Sequence, residues 1–112
     1  MKIVSVADVP VGKNPHHVDA RKIYDTEHGV AVVITLKPGE VLKKHVTPVD
    51  VFFYVLEGTG IIEIGDEQKE VGKDMLVDSP AMISHRWMNE SSGIFRVLVV
   101  KVPRPTTETK LL

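Results

Sequence analysis

The chain has 112 residues, 43% of them hydrophobic, a formal net charge of −1 at pH 7 and no cysteine. That length fits one domain spanning 1–112 with a sizeable core, and the balanced charge leaves no surplus of cations for phosphates, so nucleic acid is not an expected partner. The lack of cysteine removes disulfides, thiolate ligands and a cysteine nucleophile, so any metal must take imidazole and oxygen ligands.

No apolar run approaches the length of a membrane span, and the opening MKIVSVADVP lacks the basic region, apolar stretch and small-residue cleavage site of a signal peptide. A cytoplasmic protein with no membrane partner is the expectation. Met1 to Val6 predicts a short edge strand ending at Val9-Pro10, followed by an irregular arm through Gly12 and Pro15. His16 and His17 fall in that arm and read as solvent-facing imidazoles. Arg21 to Asp25 predicts a strand, and the run to Gly29, with His28, a turn. Val30 to Leu36 is apolar except at Thr35, so both faces of that strand need cover.

After the Pro38-Gly39 break, Val41 to His45 predicts a strand leading to a corner at Pro48. Val51 to Leu56, VFFYVL, is apolar on both faces, with Val51, Phe53 and Val55 on one and Phe52, Tyr54 and Leu56 on the other. Gly60 to Val71 predicts a hairpin around Gly65-Asp66, with a charged return strand. Met75 to Asp78 and Ile83 to Met88 follow as strands, separated by Ser79-Pro80, and Ile94 to Val102 is the last long one. The tail, 104–112, is polar and proline-punctuated, and reads as extended or flexible.

Two histidines organise this pattern. His45 stands in KPGEVLKKHVTPVDVFFYVLEGTG and His85 in SPAMISHRWMNE. Gly39, five residues and His45, with a closing glycine in YVLEGTG, resemble the first motif of the cupin family; Pro80, His85 and Asn89 have the spacing of the second. The resemblance covers about 29–103. It implies an all-β fold, an antiparallel double-sheet jelly-roll β-barrel, with both imidazoles in one cavity and commonly a divalent metal there. The match departs from the family in its donors. Thr47 stands where the family has a second histidine and Val51 where it has a glutamate, while Met82 replaces the glycine after Pro80 and Gly72 is displaced from the position Asp74 occupies.

The resemblance therefore implies a metal site (zinc, nickel, manganese or iron) built on His45 and His85. Asp50 is the candidate third ligand if the Pro48 corner turns it inward, against the reading of Asp50 as an exposed turn residue. Hydrogen-bonded histidines lining a pocket without metal are the alternative. Thr47, Val51, Phe53, Met82 and Trp87 are expected at the pocket. So is Arg96, whose cation in an apolar strand needs either a ligand carboxylate or a neighbouring Asp or Glu.

Three functions follow: a metal-dependent cupin enzyme of dioxygenase, isomerase or decarboxylase type; a non-enzymatic small-molecule-binding or sensing cupin without a working metal site; or a structural dimeric module. A homodimer is expected, because strands apolar on both faces leave Phe52, Tyr54 and Leu56 to be covered and no helix is available to do it.

Overall fold

The computed structural model describes residues 1–107 and 109–112. Ten strands run through the described residues: β1 (Asp19–Thr26), β2 (Gly29–Leu36), β3 (Val41–Val46), β4 (Asp50–Glu57), β5 (Thr59–Ile64), β6 (Glu67–Gly72), β7 (Leu76–Ser79), β8 (His85–Met88), β9 (Phe95–Val102) and β10 (Lys110–Leu111). They form two five-stranded antiparallel sheets, ordered β1-β2-β9-β4-β7 and β10-β3-β8-β5-β6. The fold is the all-β double-sheet jelly roll that the alternation and turn signals lead one to expect.

Strand parity builds the core between the sheets. Val51, Phe53 and Val55 of β4 are buried, as are Phe95, Val97 and Val99 of β9, while their neighbours Phe52, Tyr54, Leu56, Leu98 and Val100 are half-buried on the outer face. Leu36, Leu42, Ile62 and Trp87 complete the buried cluster. Trp87 stacks edge-on with Phe53, centroids 4.8 Å apart, and approaches Phe95.

One end of the barrel is tied by Asn89, which is fully buried. Its Nδ2 donates to the Leu36 and Gly93 carbonyls, both at 2.9 Å, and its Oδ1 accepts from the Ser91 amide and hydroxyl. Nearby, Gly58 sits at φ +79 with the Ile94 carbonyl where a Cβ would be, so only glycine fits that turn.

Both chain ends differ from expectation. Met1 to Val6 forms no strand; the segment is extended and enters a 3-10 turn at Val6–Asp8. Arg21 holds that turn by donating from Nη1 to the Val6 and Ala7 carbonyls, so a side chain on β1 replaces strand pairing. At the other end Lys110 and Leu111 pair with Val46 and His45, which makes β10 the edge of the second sheet. Arg104 reaches Asp25 at 2.7 Å. Within the tail, Glu108 lies outside the described residues.

Candidate functional site

The site begins with an irregularity in β3. Leu42 faces Trp87 and His45 faces His85 on β8, so three steps along β3 match two along β8. A regular strand would send residues 42 and 45 to opposite faces; the extra residue of this β-bulge turns both inward. Lys43 and Lys44 are exposed between them.

Imidazoles satisfy the bulge's backbone. The Lys43 amide donates to His16 Nδ1 at 2.9 Å, and His45 Nδ1 donates to the Lys43 carbonyl at 2.6 Å. A carbonyl can only accept, so the proton of His45 is on Nδ1 and its Nε2 is an acceptor. That Nε2 lies 2.7 Å from His85 Nε2, which supplies the proton, and His85 Nδ1 then accepts from the Ser79 hydroxyl at 2.7 Å. A directed chain, Ser79 to His85 to His45 to the Lys43 carbonyl, thus crosses from one sheet to the other. The same logic puts the ring proton of neutral His16 on Nε2.

Burial keeps the imidazoles uncharged near neutrality. Burial, followed by the fields of His45, Lys101 and His16, pushes His85 down to about 3. Burial is also the main cause that lowers His45, opposed by its bond to Lys43 and aided by Lys101. For His16, burial and then His45 bring the value down to about 4. His16 stands with its ring centroid 4.8 Å from that of His45.

A cavity of about 180 Å³ opens beside the three histidines. Phe53, Trp87, Leu42, Val32, Ile34, Val51 and Val99 make its apolar wall, and Thr47, Asn14, Thr109 and Lys101 add polar groups. Phe53 meets His85 edge-on at 5.2 Å. Lys101 shares the inward parity of Val97 and Val99, and its amine is lowered from the usual value by burial and then by Lys22. No Asp or Glu lines the cavity among the described residues. The indole Nε1 of Trp87 is buried and has no hydrogen-bond partner there either.

Of the residues singled out from sequence, His45, His85, Thr47, Val51, Phe53 and Trp87 meet at this cavity, and Asp50, Met82 and Arg96 do not. Asp50 keeps the outward parity opposite to Val51, is exposed, and accepts from the Ala81 amide at 2.8 Å; the bulge lies in β3, not at the Pro48 corner. Met82 takes a left-handed backbone, φ 66, and donates its amide to the Thr47 carbonyl, which leaves its side chain 66% exposed. Arg96 points outward on β9 and lies 3.9 Å from Glu57, so its neighbour is a carboxylate of the next strand.

Three contributors escape the sequence reading. His16 is carried in by the arm through its bond to Lys43. Ser79 reaches His85 from the other sheet. Lys101 betrays itself only by parity, lying two residues beyond Val99 in the inward register of β9.

The donor set does not fit a metal held by three or four protein ligands. His45 and His85 offer two facing nitrogens. The lone pair of His16 Nδ1 is committed to the Lys43 amide, Asp50 is outside the cavity, and a hydroxyl such as that of Thr47 is a poor donor to first-row metals. Among the described residues no three His, Asp or Glu side chains form a group that could hold an ion.

The same two-sheet architecture occurs in known proteins. The family model described as the cupin domain matches residues 32–101. The chain is similar to TT1209 from Thermus thermophilus, at 29% identity and TM-score 0.80, covering 94% of this chain and 100% of that one. It is also similar in fold to the polyketide cyclase RemF from Streptomyces resistomycificus, at 22% identity and TM-score 0.85, covering 100% and 85%. A predicted oxalate decarboxylase from Thermotoga maritima superposes at TM-score 0.82 with 13% identity, covering 91% and 99%. No curated protein matches. With most of its barrel matched by the family model and the same double-stranded architecture throughout, the chain belongs to the cupin family.

Proposed function

We propose that this cupin binds a small molecule in the barrel cavity, against the His45–His85 pair, without a resident metal. The observation that carries the reading is the closed hydrogen-bond chain from Ser79 to the Lys43 carbonyl, which occupies the imidazole nitrogens with one another beside an apolar cavity. Such a cavity, mostly apolar with a few convergent polar groups, has the make-up of a ligand site. A metal-dependent dioxygenase, isomerase or decarboxylase would need donors that Thr47 and Val51 do not supply.

Elemental analysis of protein purified without added metal tests this directly. The expected result is sub-stoichiometric zinc, nickel, manganese and iron, with unchanged thermal stability after chelation. One equivalent of any of them, lost together in His45→Ala and His85→Ala, would overturn it.

The functional unit in this proposal is a homodimer. The outer face of the first sheet carries Phe52, Tyr54, Leu56, Leu98 and Val100, all only half-buried in the single chain, and the described residues contain no α-helix to shield them. A second copy of that face is self-complementary and covers it.

A further inference from the structure

The cavity's polar groups are unbalanced. Lys101 brings an amine into it, and no Asp or Glu lies within 4 Å of that amine among the described residues, although every arginine of the chain except one that reaches only to 3.9 Å has a carboxylate at 3.0 Å or closer. The indole N–H of Trp87 has no acceptor either, but it is sealed from the cavity and takes no part there. His16 brings a ring whose accepting nitrogen is already used, leaving an N–H. Lys101 is half-buried, and a cation drawn partly out of water without a counter-charge is costly. The side-chain acceptors left in the wall are the neutral hydroxyls of Thr47 and Thr109, which supply no counter-charge; His45 Nε2 takes the proton of His85, and the Lys43 carbonyl takes that of His45.

From this we infer that the ligand of the cavity is a small organic monoanion, a carboxylate or a phenolate or enolate oxyanion, whose charged end is held by Lys101 and whose apolar body lies against Phe53, Trp87 and Leu42. This rests on the reading of the cavity as a ligand site and adds the chemical class. One negative group answers the missing counter-charge, and its several lone pairs can take more than one donor. Charge-assisted bonds of this kind are about twice as strong as neutral ones. The size of the cavity, about 180 Å³, suits a body of one ring or a short chain. A dianion is disfavoured, since Lys101 is the one cationic side chain lining the cavity among the described residues and the histidines are neutral.

The protein carries its own reporter, because Trp87 is its only tryptophan and lines the cavity. Chelator-treated protein at pH 7.5 is titrated with sodium benzoate and, separately, with benzamide, which has the same ring and no charge. The expected result is a saturable change in Trp87 emission with benzoate, and about tenfold or more weaker binding of benzamide. Lys101→Met, which keeps the length and removes the charge, weakens benzoate by about tenfold or more and leaves benzamide as it was. Equal affinity for the two probes in the wild-type protein, or undiminished benzoate binding in Lys101→Met, overturns the anion assignment while the ligand-site reading survives. No response to either probe at millimolar concentration overturns both. Should Lys101→Met fail to fold, Lys101→Gln takes its place, and the comparison of the two probes on the wild-type protein decides alone.

Discussion

Mild acid should unfold this protein earlier than its exposed carboxylates would. His85 is lowered from 6.5 to about 3, mainly by burial. A group whose folded-state value is depressed lends stability above its unfolded value, 6.5, and that stability is lost as pH falls towards the folded value. The unfolded chain takes up the proton first and is favoured. Between pH 7 and pH 5 the loss from His85 alone is about 2 kcal/mol, approaching the limit of roughly 1.4 kcal/mol per pH unit for one proton. With a urea dependence of about 2 kcal/mol per molar, typical of a small domain, the denaturation midpoint should fall by roughly 1 M. Because His45 is shifted in the same direction and shares the proton chain, the pair acts as one unit. Urea titrations followed by far-UV circular dichroism at pH 7, 6 and 5, on chelator-treated protein, measure the slope. His85→Gln, neutral at all these values, should show a smaller fall across the same range. If its midpoint dropped as far as that of the wild type, or if the wild-type midpoint did not move, the neutral histidine chain would not be what couples this fold to pH.

Other perturbations test the frame around the site. Gly39 and Gly58 both have positive φ, at +85 and +79, but a Cβ at Gly39 meets open space and one at Gly58 overlaps the Ile94 carbonyl. Gly39→Ala should cost about 1–2 kcal/mol of left-handed strain and Gly58→Ala clearly more, read as melting temperature; equal losses would contradict the packing described. Asn89→Ala removes the cross-links to the Leu36 and Gly93 carbonyls and should destabilise by about 2 kcal/mol or more in urea titration, with a loss under about 0.5 kcal/mol counting against the tie. Light scattering of the wild-type chain should give twice the 12.4 kDa of one copy, and Phe52→Glu should shift it towards one copy. A wild-type mass of 12.4 kDa would exclude the dimer.

The barrel was legible because its strands obey a single rule. In VFFYVL and IFRVLVVKV the alternation sorts Phe53, Val55, Val97 and Val99 from Phe52, Leu98 and Val100; the family resemblance says which set of the first strand faces the core, and the structure says it for the last. The same rule, applied strictly, also places Asp50 and Arg96 outside, since each neighbours an inward residue. Their candidacy rested on chemistry, a carboxylate near the right position and a cation in an apolar strand, and parity prevails over both. Lys101 shows the converse. It has the same charge as Arg96, lies five residues on, and is on the inward face because five is odd. Composition does not distinguish the two cations; counting from Val99 does.

What parity could not supply is the part of the site that depends on a break in it. His45 and Leu42 share a face only because β3 contains one extra residue, and two lysines at the bulge carry no sign of it, since a KK pair suits an exposed strand equally well. Once the bulge exists, its backbone no longer pairs regularly with β8, and its amide and carbonyl need other partners. His16 and His45 are those partners, one accepting and the other donating. That requirement draws the N-terminal arm over the cavity and turns a histidine in a polar, proline-containing segment into part of the wall. The C-terminal strand adds to the same edge, with Lys110 and Leu111 on Val46 and His45 and Thr109 at the cavity. The three imidazoles are thus brought together by satisfying the bulged backbone, and the tautomers that follow leave the free ring N–H of His16 on Nε2, with no imidazole nitrogen left to answer Lys101. The proposed anion would supply the counter-charge that the described wall does not.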